Sequence, residues 1–84
     1  MKPTRVVIAD DHAMVRDGLR GMLASDRMLQ VVGEASTGAE AVDLAHRLKP
    51  DLILMDIRMP DMDGLAATRR IKEEIPDTRV IMIT

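Results

Sequence analysis

Asp10 and Asp11 follow directly on the apolar run Val6-Val7-Ile8-Ala9, and Asp56 follows directly on Leu52-Ile53-Leu54-Met55. Carboxylates at the ends of two buried strands can converge on one point when those strands are neighbours in a parallel sheet. Three such groups repel one another, and a hard divalent cation with a preference for oxygen ligands relieves the repulsion; Mg²⁺ suits the set. With a cation beside it a carboxylate can attack an incoming phosphoryl group, which makes Asp56 a candidate nucleophile for an aspartyl phosphate. Taken singly, Asp10 and Asp11 could cap a helix beginning near Ala13, and Asp56 could be a turn residue. Their joint placement is what points to a shared site.

The elements that must position these acids show as short apolar runs alternating with helical periods. Val6-Val7-Ile8-Ala9, Val31-Val32, Leu52-Ile53-Leu54-Met55 and Val80-Ile81-Met82-Ile83 lack polar alternation, which predicts strands buried on both faces. Val15, Leu19, Met22 and Leu23 mark one side of a first helix, with Arg16, Asp17 and Arg20 on the other. Ala41, Leu44, Ala45 and Leu48 mark a second, preceded by Thr37-Gly38-Ala39-Glu40, which has the form of a capping box. A third runs from Gly64 to Glu74, with Leu65, Thr68, Ile71 and then Ile75 inward, Arg69 and Arg70 facing Glu73 and Glu74 outward, and Pro76-Asp77 as the stop.

The order β-α-β-α-β-α-β requires a mainly parallel α/β sheet with right-handed crossovers. In the doubly wound, flavodoxin-like order 2-1-3-4, strands one and three meet at a switch point, where ligands bind. Handedness then places the first helix on one face and the other two on the opposite face. The first face stays open over strands three and four, and strand four has an unpaired apolar edge, so an incomplete fold and self-association are expected.

The 84 residues carry 12 Lys+Arg against 14 Asp+Glu, a net charge of -2, which suits one small domain without a broad basic surface for nucleic acid or an anionic membrane. Cysteine is absent, which removes disulfides, thiolate metal sites and thiol nucleophiles together. Phe, Trp and Tyr are absent too, so there is no base-stacking platform, and aliphatic residues with eight Met must fill the core. Neither a signal peptide nor a membrane span fits the opening residues, and a cytoplasmic location is expected.

Val7-Ile8-Ala9-Asp10-Asp11-His12, Met55-Asp56-Ile57-Arg58-Met59-Pro60-Asp61-Met62-Asp63-Gly64 and Val80-Ile81-Met82-Ile83-Thr84, in this order, resemble the receiver domain of two-component response regulators, a CheY-like fold. The opening Asp-Asp-His and the loop after Asp56 are most similar to the NarL/FixJ (LuxR-type) regulators. The resemblance implies that Asp56 is the phosphoacceptor and that Thr84 contacts the phosphoryl group. It implies Mg²⁺ held by Asp10, Asp11, Asp56 and the backbone carbonyl of Arg58. It also implies a sensor histidine kinase as phosphohistidine donor, and DNA binding through a C-terminal domain that this chain lacks. Residues 1–84 would then be the amino-terminal part of a single receiver domain, not an enzyme, with no second domain and no nucleic-acid contact of its own. Family receivers continue with a fourth helix, a fifth strand ending in a Lys that pairs with the phosphoryl oxygens, and a fifth helix. No lysine here takes that role, so phosphorylation of these residues alone is expected to be slow or absent.

Three rival readings meet obstacles in the same residues. A hydrolase of the haloacid-dehalogenase type needs a second acid two residues after its nucleophile, and Asp56 is followed there by Arg58. A flavin module binds phosphate with Ser/Thr/Gly amides, and carboxylates repel it. A protein-contact scaffold leaves the acids unexplained. Asp61-Met62-Asp63-Gly64 has only part of a calcium-loop pattern, without the closing Glu. His12 could shuttle protons or bind metal but reads as a polar surface residue, and His46 as solvated. Met14, Met22, Met28 and Met82 read as core filler or fringe, and Met59 and Met62 as contacts near the site. Arg16 and Arg20 read as a solvated basic face or part of a kinase-docking surface. Pro60 and Gly64 are suited to hold the loop tightly beneath the acids, Gly64 through close or left-handed geometry.

Overall fold

The computed structural model describes residues 2–83; Thr84, expected to contact a phosphoryl group, lies outside the described residues. Strands β1 (Thr4–Ala9), β2 (Leu29–Ala35), β3 (Leu52–Asp56) and β4 (Arg79–Ile83) form one parallel sheet in the order β2-β1-β3-β4. Helices α1 (Ala13–Ala24), α2 (Gly38–Leu48) and α3 (Gly64–Glu74) make the crossovers. This is the doubly wound, flavodoxin-like order expected from the alternation of apolar runs and helical periods. Among the described residues no helix is long and apolar enough to cross a membrane.

The core lies between the sheet and the α2/α3 layer. Strand alternation sends Val7 and Ala9 of β1 and Ile53 and Met55 of β3 to that face, where they pack with Ala41, Ala45, Ala67 and Ile71. The alanines let the helices approach the sheet closely, and burying a side chain such as Ile53 contributes about 1.5–3 kcal/mol. Val6 and Ile8, fully buried, belong by alternation to the opposite face, where α1 lies against β1 and β2.

Burial on both faces, expected of all four strands, holds for β1 alone. Leu54 on β3 is half-buried and Ile81 on the edge strand β4 is 51% exposed, because α1 does not reach that far. β2 extends beyond Val31-Val32 in both directions, through Gly33 and Glu34, which interrupt the apolar signal. In α3 the inward residues are Gly64, Ala67 and Ile71, whereas Leu65 is 55% exposed, a correction of one step in the helical face. Arg70 pairs with Glu74, Nε to Oε2 at 3.1 Å, and among the described residues Arg69 forms no ion pair with Glu73.

The predicted cap of α2 is present with one shift. Thr37 Oγ1 accepts from the Glu40 amide at 3.0 Å, but the Glu40 carboxylate accepts from Ser36, from its amide at 2.8 Å and its hydroxyl at 2.7 Å. Those donors hold the Glu40 carboxyl below its ordinary pKa of 4.5. His46 is not merely solvated: its Nε2 lies 2.6 Å from Glu74 Oε1 and ties α2 to α3. Met59 is buried and Met62 packs against the core, so both support the loop from beneath, while Met14 and Met22 stand exposed on α1.

Candidate functional site

Ala9 pairs with Met55 across the β1–β3 ladder, so Asp10 and Asp56, the next residues on each strand, emerge side by side. Asp10 is buried, Asp56 half-buried and Asp11 exposed. One carboxylate oxygen from each of the three and a ring nitrogen of His12 lie within 4.8 Å of one another. The convergence expected of the three acids is therefore met. A set of three carboxylates fits a hard cation such as Mg²⁺ better than a soft one. Arg58 is exposed and lines, with Asp10 and Asp56, a cleft of about 460 Å³ whose remaining walls include Val15, Leu19 and Ile83.

His12 is a polar surface residue, as expected, with its side chain 68% exposed, and its ring also folds back onto the acids. Its backbone amide donates to Asp10 Oδ1 at 2.8 Å, and its Nδ1 lies 3.0 Å from the same oxygen and 2.9 Å from Asp11 Oδ1. The hydrogen bond to Asp10 and the charge of Asp11 raise the imidazole pKa above its ordinary 6.5. Asp10 Oδ1 thus closes a local turn onto the His12 amide, but no side chain caps α1, whose N-cap is His12, so neither Asp10 nor Asp11 takes the helix-capping role. The adjacency of His12 to two acids was visible in the sequence, but the fold of its ring back onto both was not.

The loop between β3 and α3 is fixed by short contacts. The Gly64 amide donates to Ile57 O at 2.7 Å, the Met62 amide to Pro60 O at 2.8 Å, and Asp63 caps α3 by accepting from the Ala66 amide at 2.8 Å. A Cβ at Gly64 would collide with the Asp56 carbonyl oxygen, so close approach, not left-handed geometry, is what requires glycine there. The left-handed residue of the loop is Asp61, at φ 69°. Gly38, at the start of α2, is demanded in the same way by the Met62 carbonyl, a requirement that no spacing in the sequence disclosed.

Arg16 and Arg20 are not a free basic face. Arg16 donates from Nη1 to the Asp10 carbonyl oxygen at 2.6 Å and from Nε to Glu34 Oε1 at 3.2 Å. Arg20 donates to the other Glu34 oxygen and, at 2.8 Å, to Asp17. Glu34, which sequence reasoning passed over, is the acid on β2 that holds both.

A family model described as "Response regulator receiver domain" matches residues 6–84. The chain is 48% identical over 82 residues to the response regulator protein VraR of Staphylococcus saprophyticus, covering 98% of this chain and 39% of that protein. It thus spans about two fifths of the length of that relative. Its fold is similar to the signal receiver domain of the putative response regulator NarL from Mycobacterium tuberculosis, with a TM-score of 0.93 and 38% identity, over 98% of this chain and 66% of that one. It is also similar to a chain of the CheX-CheY-BeF3-Mg²⁺ complex from Borrelia burgdorferi, with a TM-score of 0.87 and 32% identity, over 96% of this chain and 61% of that one.

Proposed function

The chain belongs to the response regulator receiver domain family, and from that premise we propose that it accepts a phosphoryl group on Asp56. The observation that carries this reading is the meeting of Asp10, Asp11 and Asp56 at the ends of β1 and β3, within 4.8 Å. An Asp56 carboxylate oxygen attacks the phosphorus of a phosphohistidine on a sensor histidine kinase. The P–O bond forms as the P–N bond breaks, and the electron pair returns to the departing imidazole. Asp10, Asp11, Asp56 and the Arg58 carbonyl would hold Mg²⁺. When bound, the ion offsets the negative charge shared by the three acids and the incoming phosphoryl oxygens. The chain's own residues place the nucleophile: β3 carries Asp56 to the mouth of the sheet, and Gly64 lets the following loop close tightly beneath it. Thr84 would contact the phosphoryl group.

On this reading residues 1–84 are the amino-terminal part of one cytoplasmic receiver domain, which acts as a phosphoryl acceptor and not as a turnover enzyme. In a longer protein, the phosphorylated state would control DNA binding by an output domain. The name of the Staphylococcus relative, a response regulator protein, and the BeF3 and Mg²⁺ named in the Borrelia complex support it. The test is mass spectrometry after incubation with acetyl phosphate and MgCl2, on residues 1–84 and on a chain extended to the length of the curated relatives. A phosphoryl adduct is expected on the longer chain, weaker or absent on the shorter, and lost in Asp56→Asn. Labelling that survives Asp56→Asn would refute the assignment.

A further inference from the structure

Arg16 touches the acidic site from behind. Its side chain is only 19% exposed, and its guanidinium meets the Asp10 peptide, 2.6 Å from the carbonyl oxygen, instead of the Asp10 carboxylate. An arginine beside three carboxylates is expected to pair with them and so occupy the place of a cation. Glu34 prevents this here: it takes Nε of Arg16 at 3.2 Å and leaves Nη1 aimed at the backbone. The Asp10 amide in turn donates to Ala35 O on β2 at 3.0 Å. The Ala9–Asp10 peptide is therefore anchored to β2 directly, and the next peptide, which carries the chain from Asp10 to Asp11, is anchored to β2, among the described residues, only through Arg16 and Glu34.

We infer that Arg16 is a positioning residue for the cation: held off the carboxylates by Glu34, it fixes the Asp10–Asp11 peptide so that both acids face the site before an ion arrives. The inference rests on the reading of Asp10, Asp11 and Asp56 as a Mg²⁺ site. Partners that orient first ligands of a metal without touching it change affinity by about tenfold to a hundredfold when removed.

The test is a titration with MgCl2 followed by amide NMR shifts, with thermal unfolding measured on the same samples. Arg16→Met is expected to weaken Mg²⁺ binding about tenfold or more. Arg20→Met, which also loses a Glu34 contact but does not touch Asp10, is expected to bind like the parent. A purely structural role would lower the unfolding temperature of both variants and leave affinity equal; parent-like affinity in Arg16→Met, or equal weakening in both, overturns the inference. If Arg16→Met does not fold, Glu34→Gln, which loosens the hold on the guanidinium, is expected to weaken binding, and parent-like affinity there overturns it. A parent chain whose Mg²⁺ response is absent, or unchanged by Asp10→Asn, removes the underlying reading instead, and this inference with it.

Discussion

The carbonyl oxygen of Asp56 occupies the space that a Cβ on residue 64 would need, so the end of β3 and the first turn of α3 meet only because residue 64 is glycine. The obstacle is backbone, which cannot rotate aside. Gly64→Ala is therefore expected to cost at least about 2–3 kcal/mol. At Gly33 the nearest obstacle is the tip of a flexible side chain, Leu48 Cδ1 at 3.0 Å, and Gly33→Ala is expected to cost far less. Urea unfolding of the two variants checks this, and equal stabilities would contradict the geometry.

Cation binding should stabilise the folded chain. At a free MgCl2 concentration of 100 times the dissociation constant, the gain is about 2.7 kcal/mol, seen as a rise in unfolding temperature that EDTA reverses. Asp10→Asn removes one of the charged ligands, keeps an acceptor for the His12 amide, and relieves repulsion among the acids. It is expected to abolish the Mg²⁺-dependent rise without lowering stability in EDTA. A rise of parent size in Asp10→Asn would show that the ion binds elsewhere.

The strand order and the acid cluster were legible in the sequence because both follow from short-range patterns, apolar runs followed by acids, combined with a handedness rule. What stayed hidden depends on contacts between elements distant in sequence. His46 finds Glu74 twenty-eight positions away, and Arg16 and Arg20 find Glu34 on a strand whose apolar signal Gly33 and Glu34 themselves interrupt. Leu65 was misplaced because periodicity alone fixes the face of a short helix only to within a step, and the close approach at Gly64 sets the actual rotation of α3. Met59, read as a contact near the site, belongs to the core cluster and also lines a cleft with Asp11 and Arg58, a double placement that adjacency to Asp56 in sequence does not disclose.

The Glu40 cap gives a pH dependence with a definite sign. Two Ser36 donors favour the ionised carboxylate in the folded chain, so its folded pKa lies below the unfolded value near 4.5. Its contribution is fully present above about pH 4.5 and is lost as pH falls through the lower, folded pKa. Glu40→Gln should therefore be less stable than the parent at pH 7, with the gap closing in acid. Denaturant midpoints of both chains from pH 7 to pH 3 test it, and a gap of constant size would rule out the carboxylate charge as its source.

The open face should draw copies of the chain together. Ile81 on the edge strand is 51% exposed and Val15 on α1 42%, with Leu54 and Ile83 half-buried between a helix that packs on β1 and β2 and a strand that has no outer partner among the described residues. Apolar surface beside an unpaired parallel edge can be removed from water by a second copy, through edge pairing or face-to-face packing. Sedimentation of residues 1–84 at micromolar concentration is expected to show species larger than the monomer. Ile81→Lys puts a charge on that face at a position already half in water, so it should shift the population to monomer at little cost in folding stability. A parent chain that sediments as a single monomeric species would show that the exposed apolar surface is too small to drive association.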